Sequence, residues 1–351
     1  MLTKRQWVPI GFLSLFVLTL PVDAEVAFET DYLAIRIDDA GVVQSLLDRG
    51  SGMDYLALEQ PSPLLRIRVA QQLRAPIVMR CDQRKGTLTL QYSDGVTAAV
   101  RATAKTTHTV FELLSVDPRD KVELVVWGPY ATRIKETIGE TVGVVRNDQF
   151  ALGIQALNVK TLGGYPTAEN DVMPGRGDAA QATEFGSVLQ AFTRDRSGDR
   201  VISNWGHEHY LAPAYDDGGV VGSRIALFGC PANAALKTIG EVEVGEGLPH
   251  PVIDGVWGKV APGATASYLI VGCGEDTIDE AIAITRRAGL KYLYHGGPFS
   301  TWGHFQLHPN QFPHGWAGMK DCVEKARAEG VHLSVHTLSN FITTNDPYVT
   351  P

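Results

Sequence analysis

The hydrophobic pattern of the chain changes period once, near Gly272, and that change limits the fold more than any other feature. From Glu25 to Gly272, short alternating or apolar runs are separated by Gly, Asp, Asn and Pro. They include Tyr32 to Ile37, Leu64 to Val69, Thr87 to Tyr92, Val122 to Trp127, Arg224 to Phe228 and Ala266 to Val271. Successive side chains of a strand point to opposite faces. Such runs, bounded by Asp39-Ala40-Gly41, Ser93-Asp94-Gly95 and Asp216-Asp217-Gly218-Gly219, therefore predict antiparallel sheets packed as a sandwich. No long helix is evident in this region. The stretch from Thr161 to Phe185 carries neither period and reads as a long loop or insertion.

After Gly272 the pattern becomes helical. Glu275-Asp276-Thr277 opens a segment on which Ile278, Ala281, Ile282 and Thr285 recur at helical spacing until Gly289. A strand follows from Lys291 to His295. A second helix starts near Gly315, with Trp316, Met319, Val323 and Ala326 as its apolar stripe, and Gly330 closes it before a strand from Val331 to His336. Helix, strand, helix, strand with tight glycine exits is the rhythm of a parallel sheet with right-handed crossovers. Two such strands cannot close a barrel, which needs eight, and parallel sheets are stable when covered on both faces. The expected fold class is a mainly β N-terminal sandwich (25–272) followed by the first βα units of an incomplete α/β, TIM-type barrel (273–351). The natural chain is expected to continue past Pro351.

Before the sandwich, Lys4-Arg5, an apolar run from Trp7 to Leu20 and Pro21-Val22-Asp23-Ala24 have the layout of a secretory signal peptide cleaved after Ala24. The run is short for a membrane span, which takes about 20 apolar residues, so residues 1–24 are expected to be removed and the product to be periplasmic or secreted, with no membrane partner. The net charge of −8 disfavours nucleic acid and anionic lipid as partners. Cys81, Cys230, Cys273 and Cys322 are widely spaced, match no metal pattern, and are expected to be mostly buried thiols.

In an α/β barrel, chemistry sits where strands end and loops begin. The first strand after Gly272 ends in His295-Gly296-Gly297-Pro298-Phe299, with Trp302 and His304 close behind, and the second ends in His336, with Asn340 four residues on. Imidazoles, an amide and exposed aromatic rings suit sugar hydroxyls and sugar C–H faces, so His295, Trp302, His304, His336 and Asn340 are the candidate substrate-binding residues. Their alternative role is to line the interior of the unfinished barrel. In the sandwich, His207 and His209 in Trp205-Gly206-His207-Glu208-His209 fall on one strand face and are weak candidates for a metal site, since no third ligand is identifiable. Glu136 and Glu140, four apart, read as structural. No phosphate-cradling glycine loop, Gly-x-Ser-x-Gly elbow or Cys-x-x-Cys occurs, so nucleotide, serine-hydrolase and thioredoxin-like chemistry has no support in the sequence. No cofactor is expected.

The run from Asp31 through Ile37-Asp38-Asp39-Ala40-Gly41-Val42-Val43, Ser45-Leu46-Leu47-Asp48, Tyr55-Leu56-Ala57 and Ser62-Pro63-Leu64-Leu65 resembles the opening of the galactose-mutarotase-like supersandwich of large bacterial glycoside hydrolases. Phe312-Pro313-His314-Gly315-Trp316-Ala317-Gly318-Met319 and Val335-His336-Thr337-Leu338-Ser339-Asn340-Phe341 resemble the first turns of the barrel that follows it in relatives of α-galactosidases. The resemblance implies an exported protein acting on oligosaccharide or polysaccharide, with a catalytic carboxylate pair on later strands, beyond residue 351. By itself the 351-residue chain is then expected not to turn over. Two other functions are expected alternatives: a non-catalytic carbohydrate-binding protein, and a metal-dependent carbohydrate lyase or epimerase using His207 and His209.

Overall fold

The computed structural model describes residues 25–141, 143–165, 178–204, 207–339 and 341–349. The expected signal peptide and Asn340 lie outside them. The chain divides into two compact units, Met1–Pro249 and His250–Pro351. Among its described residues the first is built mainly of strands, as the alternating and apolar runs predict. In Thr87–Gln91, for example, Leu88 and Leu90 are fully buried and the residues between them half-buried, the pattern of a strand with one face on a core.

Two antiparallel sheets make most of the first unit. One runs in the order Leu162–Gly163, Gly186–Arg194, Leu124–Thr132, Leu65–Val69, Gln72–Arg74. The other has eight strands, ordered Thr137–Ile138, Val144–Arg146, Phe150–Ala156, Arg224–Pro231, His108–Asp117, Thr97–Ala104, Thr87–Gln91, Val78–Asp82. Trp127 of the first sheet meets Phe111 of the second, ring centroids 6.4 Å apart, in a core that also buries Tyr130, Phe150, Leu113 and Val125. Buried polar groups on these rings must be paired: Trp127 Nε1 donates to Ser223 Oγ at 2.8 Å and the Tyr130 hydroxyl to the Leu64 carbonyl at 2.8 Å. Glu136 and Glu140 flank the Thr137–Ile138 strand, with Glu140 paired to Arg146, which gives Glu140 the structural role expected of it.

Glycine and phenylalanine interlock between the paired strands Phe150–Ala156 and Arg224–Pro231. Gly153 lies opposite Phe228, whose ring occupies the space of a side chain: a Cβ on Gly153 would come within 2.1 Å of Phe228 Cζ. One register step away, a Cβ on Gly229 would meet Phe150 Cζ at 2.7 Å. Both rings are about fully buried.

Three features depart from the sequence expectations. A 12-residue helix, α1 (Ala235–Glu246), follows the Arg224–Pro231 strand where no long helix is evident in the sequence. Its Thr238, Gly240, Val242, Val244 and Gly245 are poor helix formers, and burial of Thr238, Ile239 and Val242 holds it. Gly247 ends it at φ +69°, the left-handed cap that glycine adopts freely. Second, Tyr268–Ile270, from a run assigned to the sandwich, pairs in parallel with Tyr292–His295 and lies in the compact unit that starts at His250. Third, the stripe of the helix Gly315–Ala328 (α3) is Gly318, Met319, Cys322 and Ala326, while Trp316 is exposed. The other helix of the second unit, Ile278–Arg287 (α2), buries Ile278, Ala281, Ile282 and Thr285, the residues its spacing singles out.

The carboxylate of Glu246, at the end of α1, ties that helix to the eight-stranded sheet. Its side chain is 1% exposed and accepts from Lys105, from His108 Nε2 at 2.9 Å and from Arg224 Nη2 at 2.5 Å. Thr107 Oγ1 satisfies the other His108 nitrogen at 2.8 Å. Burial lowers the His108 pKa from 6.5 despite Glu246. Burial alone would raise that of Glu246 from 4.5, but hydrogen bonds from Lys105 and His108 and the charge of Arg224 outweigh it and lower it. Both folded values lie below their unfolded ones, so both groups contribute stability that is full above the unfolded pKa and is lost as pH falls through the folded one. The urea midpoint is therefore expected to decline below pH 6.5 as His108 charges, and again below 4.5 as Glu246 protonates. A midpoint that rises between pH 7 and 5 overturns this assignment.

Candidate functional site

In the second unit, Tyr268–Ile270, Tyr292–His295 and His332–Val335 form a parallel sheet. α2 and α3 are its crossovers. Leu293 is buried with Met319, Cys322 and Ala326 of α3, whereas alternation turns Tyr292 and Tyr294 to the other face. The segments after the second and third strands, residues 296–314 and the described residues 336–339 and 341–349, meet at the strands' C-terminal ends.

A run of rings lies there. The Tyr294 hydroxyl is hydrogen-bonded to His336 Nδ1, and Tyr268 stands beside Tyr294 at 5.5 Å between centroids. Trp302 meets His336 edge-to-face at 5.6 Å and Phe341 at 6.5 Å. Trp302 and His336 are half-buried, each with part of its surface open to solvent. His336 Nε2 makes no hydrogen bond among the described residues.

His304, two residues beyond Trp302, is held by Asp346. His304 Nδ1 lies 2.8 Å from Asp346 Oδ1, and the His304 backbone N–H donates to Oδ2 at 2.8 Å. The Tyr348 N–H donates to Oδ1 at 3.0 Å. Gly303 makes this enclosure possible: its φ is +130°, and a Cβ there would sit 2.6 Å from Asp346 Oδ1. Burial alone would raise the Asp346 pKa, but hydrogen bonds from the His304 and Tyr348 backbones, the His304 ring and Thr301 hold it well below the usual carboxylate range. Reciprocal bonds between Trp302 and Thr343, both at 3.0 Å, fasten the two loops together.

His295 ends the second strand but faces inward. It is 2% exposed, its Nε2 donates to the Cys273 carbonyl at 2.9 Å and its Nδ1 accepts the Gly297 N–H at 3.1 Å. Burial lowers its pKa, so the ring is neutral and fully engaged by the protein interior. The structure thus brings Trp302, His304 and His336 to one end of the sheet, where His295 turns into the interior instead, while Asn340 is outside the described residues. Sequence reasoning missed Tyr294, Phe341, Asp346 and Tyr348. Alternation about Leu293 and His295 would have found Tyr294; Asp346, in a turn with no periodicity, gives no such signal.

In the sandwich, His207 and His209 belong to a hairpin strand, His207–Ala212, on which His209 is exposed. Among the described residues no group of three His, Cys, Asp or Glu side chains is disposed to hold a metal ion. All four cysteines are free thiols, three of them buried. A cavity of about 600 Å³ on the sandwich is lined by Arg68, Asp120, Glu123, Arg194, Asp199 and Arg200, among others.

No protein-family model and no curated protein sequence matches the chain. Solved structures do. The α-N-acetylgalactosaminidase from Bifidobacterium bifidum, in complex with GalNAc, is 10% identical with a TM-score of 0.48, the match covering 89% of this chain and 58% of that one. A GH36 α-galactosidase from Geobacillus stearothermophilus is 7% identical with a TM-score of 0.40, over 92% and 57%. The α-galactosidase from Lactobacillus brevis is 8% identical with a TM-score of 0.37, over 93% and 56%. The chain thus spans less than two-thirds of each of these glycoside hydrolases. Among the described residues, no helix is long and apolar enough to cross a membrane.

Proposed function

We propose that the chain is the N-terminal part of an exported glycoside hydrolase, a sandwich followed by the first strands of a catalytic barrel, whose carboxylate pair lies beyond residue 351. The observation that carries the sugar reading is the convergence of Tyr294, Trp302, His336 and Phe341 at the C-terminal ends of parallel strands. Flat apolar rings suit the C–H face of a pyranose, and the imidazole and phenol suit its hydroxyls. Tyr268–Ile270 and His332–Val335 stand at the two edges of the sheet among the described residues, which agrees with a sheet completed by more strands. The carboxylates would protonate the leaving oxygen and stabilise the oxocarbenium-like transition state. In this scheme His336 and Trp302 position the sugar.

The protein recovered from the periplasm or medium is expected to begin at Glu25 by intact mass. It should be retarded in gels containing galactose-rich polysaccharide. Trp302→Ala is expected to weaken that retardation roughly tenfold, the effect of about 1.4 kcal/mol from a lost aromatic platform. An unprocessed Met1 form outside the cell would defeat the export reading. Unchanged retardation of Trp302→Ala would instead favour non-catalytic glycan binding by the sandwich, for which the Arg- and carboxylate-lined cavity is the specific observation.

A further inference from the structure

We propose that Asp346 and His304 form an oriented proton-accepting pair: Asp346 is a positioning residue, and His304 Nε2 accepts a hydrogen bond from a hydroxyl of the bound sugar. The identity of the ligand rests on the function proposed above. The orientation rests on geometry alone. The Asp346 side chain is 0% exposed and receives the His304 N–H, the Tyr348 N–H and the His304 ring at 2.8–3.0 Å. An ionised carboxylate has no proton to offer, so Nδ1 must carry the hydrogen, and a neutral ring then presents its lone pair at Nε2. That nitrogen makes no hydrogen bond among the described residues, and the side chain is 45% exposed. The ring cannot easily turn away, because Tyr348 stacks on it at 4.1 Å with 22° between planes.

Two other imidazole–carboxylate pairs lack this combination. His108 and Glu246 are both buried, and Thr107 takes the second His108 nitrogen. His314 bonds Glu275 at 2.6 Å, but its side chain is 77% exposed and no ring packs on it in the contacts described. Of these pairs of described residues, the His304 arrangement joins an enclosed carboxylate to a fixed ring and an open nitrogen. It also stands two residues from Trp302, so a sugar lying on the indole has a directed acceptor nearby on the same loop.

The test is ¹⁵N NMR of the full chain labelled at histidine and tryptophan, above the pH at which the imidazoles are charged, with His304→Gln used to assign the signals and methyl α-galactopyranoside as probe. The expected result is a protonated Nδ1 and an unprotonated Nε2 at His304, the reverse of the tautomer favoured by free histidine, with Nε2 moving upfield as the sugar is added. In Asp346→Asn the tautomer preference and the sugar-induced shift should both be lost while the Trp302 indole signal stays in place. A wild-type His304 protonated at Nε2 overturns the proposal, whether or not Asp346→Asn folds. A Trp302 signal that responds to sugar while Nε2 does not overturns the acceptor role and leaves the sugar site standing. If neither responds, the sugar site fails and the acceptor role fails with it.

Discussion

Replacing Glu246 with Ala is expected to lower the unfolding free energy of the sandwich by about 3–5 kcal/mol, the cost of removing one partner from a buried ion pair. Glu246 is the shared acceptor for Lys105, His108 and Arg224, one donor from a turn and two from the starts of strands. Without it, His108, 2% exposed in its side chain, keeps a buried N–H with no acceptor, and two cations face each other across the gap. α1 also loses its tie to the sheet, and this helix has little intrinsic propensity with which to stand alone. Glu246→Gln should recover only a small part of the loss, because its amide nitrogen would confront donors. Urea unfolding monitored by tryptophan fluorescence, with midpoints compared at a common slope, reads the effect. A loss below about 1 kcal/mol, the worth of an exposed pair, would mean that solvent replaces Glu246 without difficulty.

The second large effect is expected at the Gly153–Phe228 contact. Phe228→Ala should cost about 3–5 kcal/mol, as for other fully buried phenylalanines. Gly153→Val should cost about 3 kcal/mol, because its side chain needs space that the ring fills and overpacking of a dense core is itself destabilising. The double variant is the informative one. Valine can occupy the volume the ring vacates, so the combined loss should fall short of the sum of the single losses by about 1–3 kcal/mol, a coupling typical of residues in contact. Strict additivity in the same unfolding assay would show that Phe228 does not depend on the bare backbone of Gly153.

Alternation locates Thr87–Gln91 because one face of that strand is dry and the period-two signal reports it directly, whereas Arg224–Pro231 is buried along both faces and is read from its continuous apolar run. The stripe of α2 is legible for the corresponding reason at helical period. α1 is hidden because its residues are weak helix formers and its stability is tertiary. Tyr268–Ile270 is hidden because three residues of alternating pattern do not say which sheet they join or in which direction. At the site, Trp302, His304 and His336 are legible from their place after strands. His295 shares that place but lies on the inward side of the alternation, where the Cys273 carbonyl and Gly297 N–H claim both nitrogens. Asp346 is invisible beforehand because its role arises only when two distant loops touch.

The close approach of Gly303 to Asp346 has a consequence for finding relatives of this chain. A backbone at φ +130° with a carboxylate oxygen where a Cβ would stand tolerates no side chain. Any homologue that keeps the enclosed carboxylate must therefore keep the glycine directly before its histidine. Gly303-His304 followed by an aspartate 42 residues after the histidine is thus a three-point signature with a steric cause. It can be searched for in chains too divergent for overall identity to speak, and it marks which of them inherited the pair.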